Sequence, residues 1–590
     1  MSADLKFSGF NFGYAAAETE ASRNPDLLTK GFVNLGGVVD ELRDGDKFLV
    51  LGNRGTGKSA IAEHLKRSAD SGTAFVHIAK LKDCRYSDLT TIVKGQVGEL
   101  PTAWSWLLLM NLFASFACAG GNIETDAELG PLYGSLKKLG LLPSPGNVDA
   151  LVRASRQKPF SQLSEEFRID RNPGPEPQAV TATSSIARPR KQDEPYAFHF
   201  PFFVDRLRSA LLRFESASQH LLILDDLDVV LNYGEEQFDS LAALVSECAE
   251  INRAFRDVHI RAKIILLCRT DLFERLPGTN NNKIRQDYSI QLNWYSPDYN
   301  TSPLWAVANQ RATFQSGCEV DIAAQYFPLQ VVRTGEIRVL PLQAASTKAY
   351  LLRHTRFIPR DFVMLLRNIQ QCSPEAVVTM ENISYGLREY AATYFKNEIT
   401  SELNGYFVPK DIERVMDAFG KMRDTRFSFD QLRQRVPDRL HELLPQMLNI
   451  LFDCGSVGNW ERGDQVISQS TYRYKYPHCR MDLSKPIVLH PALSVAFNIA
   501  DTDDMFVIPK LTGSRGIVTQ IGSGFGFLKA DNGQVYRFDM SEVADRKNTL
   551  LCVGDDVVFE PGRQGGKPPG AFKVRWVGRK FKSYAGHPTR

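Results

Sequence analysis

The chain has 590 residues, more than one hydrophobic core usually organises, and indicates about three or four domains. Its 43% hydrophobic and 24% charged residues exclude wholesale disorder, and its net charge of +3 excludes binding of nucleic acid through an overall cationic field. The 9 cysteines include no CxxC pair, so they support neither a zinc site nor a disulfide framework, and they favour a reducing cytoplasm. We therefore expect a cytoplasmic, multidomain α/β protein.

Residues 1–45 form a lead-in rich in Phe and Gly, without the basic, apolar and small-residue order of a signal peptide. The longest apolar stretch, Trp104 to Ala119, is short for a membrane span and carries Ser and Asn. We predict a buried helix there, with an interfacial or membrane role as the alternative, and we expect no membrane partner.

Residues 46–300 alternate short apolar runs with helical patterns, which predicts a parallel sheet flanked by helices. An insertion at 153–195 has no apolar period and is predicted to be mobile. The predicted strands are Lys47 to Leu51, Ala74 to Ala79, Leu221 to Leu224, Lys263 to Cys268 and Ile290 to Trp294.

Four further units are predicted after this core. Residues 301–405 are predicted to form a helical lid, and residues 406–505 a winged helix with a hairpin through Tyr472 to Tyr476. Residues 512–578 alternate short strands with Gly-Asp and Asn-Gly turns, as in a small β-barrel. The tail, 579–590, continues a basic stretch that begins at Arg575, and it either reaches phosphates or is solvated.

A phosphate-binding loop follows the first predicted strand. Phosphate binding needs converging backbone N–H groups, glycines where side chains would block the anion, and a cation and a hydroxyl at the start of the next helix. The segment Gly-Asn-Arg-Gly-Thr-Gly-Lys-Ser meets each requirement, whereas a chance Gly-rich turn would lack the flanking strand and helix. We predict ATP binding by Gly52, Asn53, Arg54, Gly55, Thr56, Gly57, Lys58, Ser59 and Ala60, with Lys58 on the β- and γ-phosphates and Ser59 on Mg²⁺.

An acidic turn ends the third predicted strand, where P-loop enzymes hold Mg²⁺ and orient the attacking water. We assign Asp225 to Mg²⁺, Asp226 to water activation and Asp228 to capping; the alternative is that the whole turn is a helix cap. Asp226 is shorter than the Glu common at this place, so we expect slow hydrolysis and a switch that holds ATP.

Two arginines are candidates for sensing the γ-phosphate. Arg269 follows the fourth predicted strand, and the alternative for it is a surface ion pair with Asp271 or Glu274. Arg360 comes one residue after a proline at the start of a predicted lid helix, from which it could project back toward the phosphates.

These motifs together resemble P-loop ATPases of the AAA+-related branch, particularly the STAND and KAP-like ATPases of bacteria. The resemblance covers about residues 10 to 370, and it includes the segments Gln291 to Trp294 and Thr355 to Arg360 and the acidic Ala17 to Glu20 of the lead-in. It implies a regulated ATPase that switches or assembles, as a homo-oligomer and with an effector protein, in a bacterial defence or mobile-element setting. The insertion and the absence of sensor repeats after residue 400 depart from a STAND protein.

The C-terminal barrel resembles a cold-shock domain of the OB type, through Gly524 to Leu528 and Asn532 to Phe538. The resemblance implies that exposed aromatic rings stack on unpaired bases and that basic residues meet phosphates. The predicted contacts to single-stranded RNA or DNA are Phe525, Phe527, Lys529, Arg537 and Phe538. Ser523, Gln520 and Asp539 replace the usual Lys, Trp and His, which predicts reduced affinity.

Two functions remain open at this stage. The first is an ATP-hydrolysing switch whose C-terminal modules bind single-stranded nucleic acid. The second is an ATP-dependent scaffold whose modules bind only protein, with the aromatic residues of the barrel partly in the barrel core. Processive helicase action is disfavoured, because no further helicase motif accompanies the P-loop.

Overall fold

The computed structural model describes most of the chain. The described residues are 5–70, 72–81, 99–119, 122–139, 141–142, 144–147, 150–151, 200–227, 236–278, 280–328, 330–332, 344–374, 377–462, 468–499, 514–522, 524–530, 532–543, 553–562 and 568–579. The predicted insertion at 153–195, Asp228, Ser523 and the tail from residue 580 lie outside them.

Sixteen strands are named in the described residues. They are β1 (Leu49–Leu51), β2 (Ala74–Lys80), β3 (Gln219–Asp225), β4 (Ala262–Cys268), β5 (Ser289–Gln291), β6 (Gln330–Val332), β7 (Ala344–Ser346), β8 (Arg426–Phe427), β9 (Val457–Arg462), β10 (Ser468–Thr471), β11 (Ile487–Leu489), β12 (Ser514–Ile521), β13 (Phe525–Ala530), β14 (Val535–Asp539), β15 (Asp555–Pro561) and β16 (Ala571–Arg579).

The helices of the first half of the chain are α1 (Ala17–Arg23), α2 (Pro25–Lys30), α3 (Val38–Asp44), α4 (Lys58–Arg67), α5 (Glu99–Cys118), α6 (Leu129–Leu139), α7 (Phe200–Leu211), α8 (Glu236–Asp257), α9 (Thr270–Phe273) and α10 (Asn281–Tyr288). Those of the second half are α11 (Pro303–Ser316), α12 (Ile322–Tyr326), α13 (Thr347–Arg353), α14 (Pro359–Gln371), α15 (Met380–Glu389), α16 (Lys396–Leu403), α17 (Pro409–Gly420), α18 (Phe429–Arg433), α19 (Leu444–Asp453) and α20 (Pro491–Ala496). A π-helix, Tyr390–Phe395, joins α15 to α16.

A five-stranded parallel sheet, in the order β2-β3-β4-β1-β5, forms the centre of the first half. The five strands predicted from the apolar runs are confirmed, although β5 ends at Gln291, three residues before the predicted end. β3 is buried along its whole length, as expected of a central parallel strand covered on both faces. This is the α/β architecture of a P-loop core.

Alternate residues of the sheet enter two separate cores. Leu221 and Ile223 pack with Ile61 and Leu65 of α4, whereas Leu222 and Leu224 pack with the helices on the opposite face. α5 belongs to that second core. Its length and apolar composition would allow it to cross a membrane, but 78% of its most apolar part is buried inside the protein. The predicted buried helix is thus confirmed.

The lead-in and the helices after the sheet share one core. Phe7, Phe10 and Phe12 pack with Trp305 of α11 and Phe362 of α14 in a single cluster of buried side chains. The Gln370 amide donates to the carbonyl oxygens of Phe7 and Phe10, both at 2.8 Å. The lead-in and the predicted helical lid therefore fold against each other.

Helices α17, α18 and α19 adjoin a four-stranded antiparallel sheet in the order β10-β9-β11-β8. The predicted hairpin through Tyr472 to Tyr476 is wrong in position, because the hairpin consists of β9 and β10 and ends at Thr471. The N–H groups of Lys475 and Tyr476 both donate to the Tyr472 carbonyl at 3.0 Å, which closes a turn there.

The C-terminal five strands form an antiparallel sheet in the order β14-β13-β12-β15-β16. Its two edges approach each other, because the Arg537 N–H donates to the Pro569 carbonyl at 2.9 Å and two isolated bridges join the edge segments. Val518, Leu528, Phe538 and Phe559 fill the interior. The sheet is therefore a nearly closed small barrel.

We expect the free energy of unfolding to fall as the pH drops below about 6.5, partly because of His490. Its Nε2 donates to the Thr355 carbonyl at 3.1 Å and its Nδ1 accepts from the Ala492 N–H at 3.2 Å, which requires the neutral ring. Burial lowers the pKa of His490 to about 3. The unfolded chain therefore takes up a proton, between pH 6.5 and about 3, that the folded chain does not.

The expected contribution of His490 is a loss of about 1.4 kcal/mol per pH unit in that window. Urea unfolding of the wild type and His490→Gln between pH 7 and pH 4.5 measures it. The variant should lose less stability than the wild type on acidification, and His478→Gln, at an exposed site, serves as the control. Equal acid sensitivity of wild type and His490→Gln would contradict this account.

Candidate functional site

A cavity of ≈ 220 Å³ opens at the carboxyl ends of β1 and β3, between the P-loop, the lead-in and α14. Carboxyl ends of parallel strands are the usual ligand sites of open α/β sheets. The predicted site residues that line it are Arg54, Gly55, Gly57, Lys58, Ser59, Ala60, Asp225, Asp226 and Arg360. Side chains that were far apart in sequence are thus brought to one opening.

The P-loop has the backbone that its glycines predict. Gly55 and Gly57 have φ values of 80° and 99°, which side chains with a Cβ rarely adopt. α4 begins at Lys58, so the first turn of the helix, with Lys58, Ser59 and Ala60, lines the cavity. The Lys58 ammonium donates to the carbonyl oxygens of Gly52 at 2.8 Å and Asn53 at 3.0 Å. The Lys58 ammonium therefore lies against the loop that precedes its helix.

Two residues of the loop, Thr56 and Asn53, form hydrogen bonds that hold it to neighbouring segments. Thr56 is buried, its hydroxyl donates to the Asn53 carbonyl at 2.9 Å, and its own carbonyl accepts from the Trp294 indole at 2.9 Å. The Asn53 amide donates to the Asp453 carbonyl, at the end of α19, at 3.2 Å. The loop is consequently fixed to the segment that follows β5 on one side and to the unit containing α19 on the other.

Asp225 ends β3 and is buried, whereas the Asp226 side chain is 35% exposed. Asp225 accepts from the N–H of Asp226 at 2.9 Å, and Asp226 has a φ of 60°. That left-handed conformation is uncommon for Asp and turns the chain sharply after the strand. Ser59 and Asp225 line the same cavity with a hydroxyl and a carboxylate, the hard oxygen donors that suit Mg²⁺.

A lysine that the motif analysis did not single out contacts this acidic turn. Lys80 ends β2 and pairs in register with Asp225 of β3. Its ammonium lies 2.5 Å from the Glu18 carboxylate and 3.8 Å from that of Asp226. Burial alone would raise the pKa of Glu18, but the hydrogen bond to Lys80 and the charges of Lys80 and Arg360 hold it below its ordinary value.

Arg360 lies beside the P-loop. Its N–H donates to the Gly55 carbonyl at 3.3 Å, and a Cβ on Gly55 would lie 3.0 Å from the Arg360 Cβ. The guanidinium pairs with Glu398 at 3.0 Å. A side chain on Gly55 would therefore collide with the start of α14. The helix packs directly against the loop at this point.

Arg269 is engaged elsewhere. Its guanidinium donates to both Asp271 oxygens, at 2.9 and 2.8 Å, and lies 3.0 Å from Glu402. It lines a separate small cavity with Asn53 and Arg54. Asp271 is one of the two ion-pair partners that the sequence offered as the alternative to phosphate sensing. A contact from Arg269 to a γ-phosphate would require these ion pairs to open.

The lead-in supplies a wall of the cavity. Glu20, which is buried, accepts from the Arg311 guanidinium at 2.7 Å and from the Tyr14 N–H at 3.1 Å. Arg311 also donates to the Phe12 carbonyl. Tyr14, Glu18, Glu20 and Arg311 all line the cavity, and sequence analysis assigned none of them a role. The only signal was the acidic Ala17 to Glu20 segment.

A second cavity, of ≈ 310 Å³, lies at the amino ends of β3 and β4 in the same sheet and is rich in arginine. The half-buried Lys263 ammonium donates to the carbonyl oxygens of Leu42 at 2.8 Å and Gly45 at 2.6 Å, at the end of α3. Burial lowers the pKa of Lys263 to about 8. A cation at a helix C-terminus compensates the partial negative charge of the last carbonyl groups. The position of Lys263 at the end of α3 is therefore explained by its structural role.

The barrel has an aromatic and basic outer surface. Phe525 is 37% exposed, its ring lies edge-on to Phe527 at 5.8 Å, and the Arg537 guanidinium lies 4.7 Å above it. Lys529 is exposed on the same face of β13. Four predicted nucleic-acid contacts thus share one surface.

Phe538 differs from these four residues. It is 1% exposed and belongs to the barrel core, where its ring covers the backbone of Gly526. A base could stack on Phe538 only if the barrel opened. We therefore remove it from the predicted contacts.

The chain was compared with protein-family models, with curated proteins and with solved structures. The chain matches no protein-family model and no curated protein. Among solved structures it is similar to the crystal structure of Cdc6p from Pyrobaculum aerophilum, at 11% sequence identity and a TM-score of 0.24, over 82% of this chain and 97% of that chain. The function of this chain is therefore inferred from its own P-loop, parallel sheet and cavity.

Proposed function

We propose that this protein is a Mg²⁺-dependent ATPase that works as a regulatory switch. The observation that carries the proposal is the convergence of Lys58, Ser59, Asp225, Asp226 and Arg360 on one cavity at the carboxyl end of a parallel sheet. A cation, a hydroxyl, two carboxylates and a second cation are the groups that phosphoryl transfer to water requires.

Each group has a distinct task in this proposal. Lys58 exchanges its two carbonyl contacts for phosphate oxygens, which the N–H groups at the start of α4 also bind. Ser59 and Asp225 hold Mg²⁺, which neutralises charge on the phosphates when bound. Asp226 accepts a hydrogen bond from the attacking water. The strained φ of Asp226 fixes its carboxylate at the turn, but its short side chain makes slow turnover the expected behaviour.

The units after the sheet are proposed to transmit the nucleotide state. Helices α11 to α16 would act as the lid, because α14 carries Arg360 against Gly55. The order of α17, β8, α18, α19 and the β9–β10 hairpin is that of a winged helix, whose recognition helix would be α19. α19 contacts the P-loop through Asp453 and Asn53. A change at the phosphates therefore has a direct route to the C-terminal half.

The C-terminal barrel is proposed to bind single-stranded RNA or DNA. Five strands with one aromatic face fit the OB type suggested by the cold-shock resemblance. Phe525 and Phe527 would stack on bases, while Lys529 and Arg537 would meet phosphates. The Arg537 guanidinium lies over the ring of Phe525 in a cation–π contact. A base would therefore compete with the guanidinium for that ring face or share the ring with it.

The test couples the two activities in the full-length protein. We expect a single-stranded oligonucleotide to change the wild-type rate of ATP hydrolysis and to bind Phe525→Ala about tenfold or more weakly, since one stacked base contributes roughly 1–3 kcal/mol. Fluorescence anisotropy measures the affinity. Tyr385→Ala removes an exposed aromatic ring on α15 and should leave the affinity unchanged.

A protein-binding scaffold is the second candidate, and the burial of Phe538 favours it. It predicts ATP hydrolysis that depends on Lys58 but ignores the oligonucleotide, with no measurable anisotropy change. The homo-oligomer, the effector protein, the cytoplasmic location and the defence or mobile-element setting stay predictions, because no contact in the described residues bears on them.

A further inference from the structure

Glu18 places a negative charge in a cavity that is proposed to receive the negatively charged phosphates of ATP. It lies in the first turn of α1 and lines the cavity with Lys58 and Asp226. The buried ion pair of Glu20 with Arg311, two residues further on, anchors the same helix to α11. Glu18 is therefore held at the site by its own helix, although a carboxylate there repels a nucleotide's phosphates.

The partner of Glu18 explains its position. Lys80 projects from the end of β2, beside Asp225, toward the acidic turn of β3. Its ammonium is shared unequally, at 2.5 Å from Glu18 and 3.8 Å from Asp226. Asp226 therefore receives the weaker of the two contacts, although it is the carboxylate proposed to activate water.

We propose that Glu18 is a positioning residue for ATP hydrolysis that acts through Lys80, by holding the ammonium away from Asp226. The inference rests on the proposed function. Without Glu18, the lysine would form a charge-assisted hydrogen bond with Asp226 and occupy the oxygen that must accept from water. With Glu18, the ammonium stays 3.8 Å from the Asp226 carboxylate and only 2.5 Å from Glu18, and the lead-in helix becomes part of the hydrolytic site.

The experiment compares kcat and KM for ATP in four full-length proteins: wild type, Glu18→Gln, Lys80→Met and the double variant. Glu18→Gln should lower kcat by about tenfold and leave KM within about twofold, because ATP binding is not its task. Lys80→Met should restore the activity of Glu18→Gln, so that the double variant hydrolyses ATP as fast as Lys80→Met alone. Glu63→Gln, which removes the ion pair with Arg67 on α4, is the matched control.

Three outcomes overturn the inference. An unchanged kcat of Glu18→Gln would mean that the lysine does not move to Asp226. A double variant as slow as Glu18→Gln would mean that Glu18 does not act through Lys80. A raised KM with lowered melting temperature in both Glu18 variants would mean that Glu18 only holds the lead-in. Absence of hydrolysis by the wild type, in contrast, overturns the proposed function itself and this inference with it.

Discussion

Lys58→Ala is expected to lower kcat/KM for ATP by about 10²–10³-fold or more, since it removes the cation that meets the transferred phosphoryl group. We expect the fold to survive, because the two carbonyl oxygens to which the Lys58 ammonium donates belong to its own loop. Phosphate release measures the rate, calorimetry measures ATP binding, and the melting temperature monitors folding.

The matched control for this prediction is Lys66→Ala, in the last turn of the same helix, where the side chain is exposed. It should hydrolyse ATP at the wild-type rate. If Lys58→Ala and Lys66→Ala behaved alike, the P-loop would not be the site of the chemistry, and the cavity would lose its assignment.

Asp361→Ala is expected to destabilise the protein by about 3–5 kcal/mol, the usual cost of leaving one member of a buried ion pair without its partner. Asp361 is completely buried, and it accepts from Arg356 Nε and Nη2, both at 2.8 Å, and from the Tyr394 hydroxyl at 3.0 Å. The Arg356 guanidinium keeps the pKa of Asp361 below its ordinary value despite burial, which alone would raise it.

Chemical denaturation of the full chain measures this loss, with Asp26→Ala as the control. Asp26 forms an exposed ion pair with Lys30 at 3.8 Å, and its removal should cost at most about 1 kcal/mol. Because Asp361 follows Arg360 at the start of α14, Asp361→Ala should also weaken ATP binding. Stability of Asp361→Ala equal to that of Asp26→Ala would show that Arg356 finds another partner.

The P-loop core could be predicted from local sequence because its signals are local. A run such as Leu221 to Leu224 is apolar at every position, which is what a strand covered on both faces requires, and an acidic turn follows it directly. The glycines of the loop reveal a conformation that other residues avoid. These features need no knowledge of distant parts of the chain.

The walls of the cavity could not be predicted in this way. The Glu20 to Arg311 pair joins residues 291 positions apart, and the contact from Asn53 to Asp453 spans 400. Such pairs are set by how helices pack on the sheet, and no spacing rule in the sequence encodes them. The same holds for Glu402, which places Arg269 in an ion-pair cluster rather than at the phosphates.

The barrel illustrates an error that strand periodicity could have prevented. Adjacent residues of a strand face opposite sides, so Arg537 and Phe538 cannot both lie on the outer face. Phe527 pairs with Arg537 and Gly526 with Phe538, which places Phe538 with the interior residues. The motif resemblance named both residues, but the alternation of β14 separates them.

Calorimetric titration of the full-length protein with ATP and Mg²⁺, beside the same titration of Lys58→Ala, tests the central claim most directly. The structure predicts saturable binding of one ATP per chain to the wild type and at least about tenfold weaker binding to the variant. Absence of ATP binding by the wild type, or equal affinity of the two proteins, would contradict the assignment of this cavity as an ATP site.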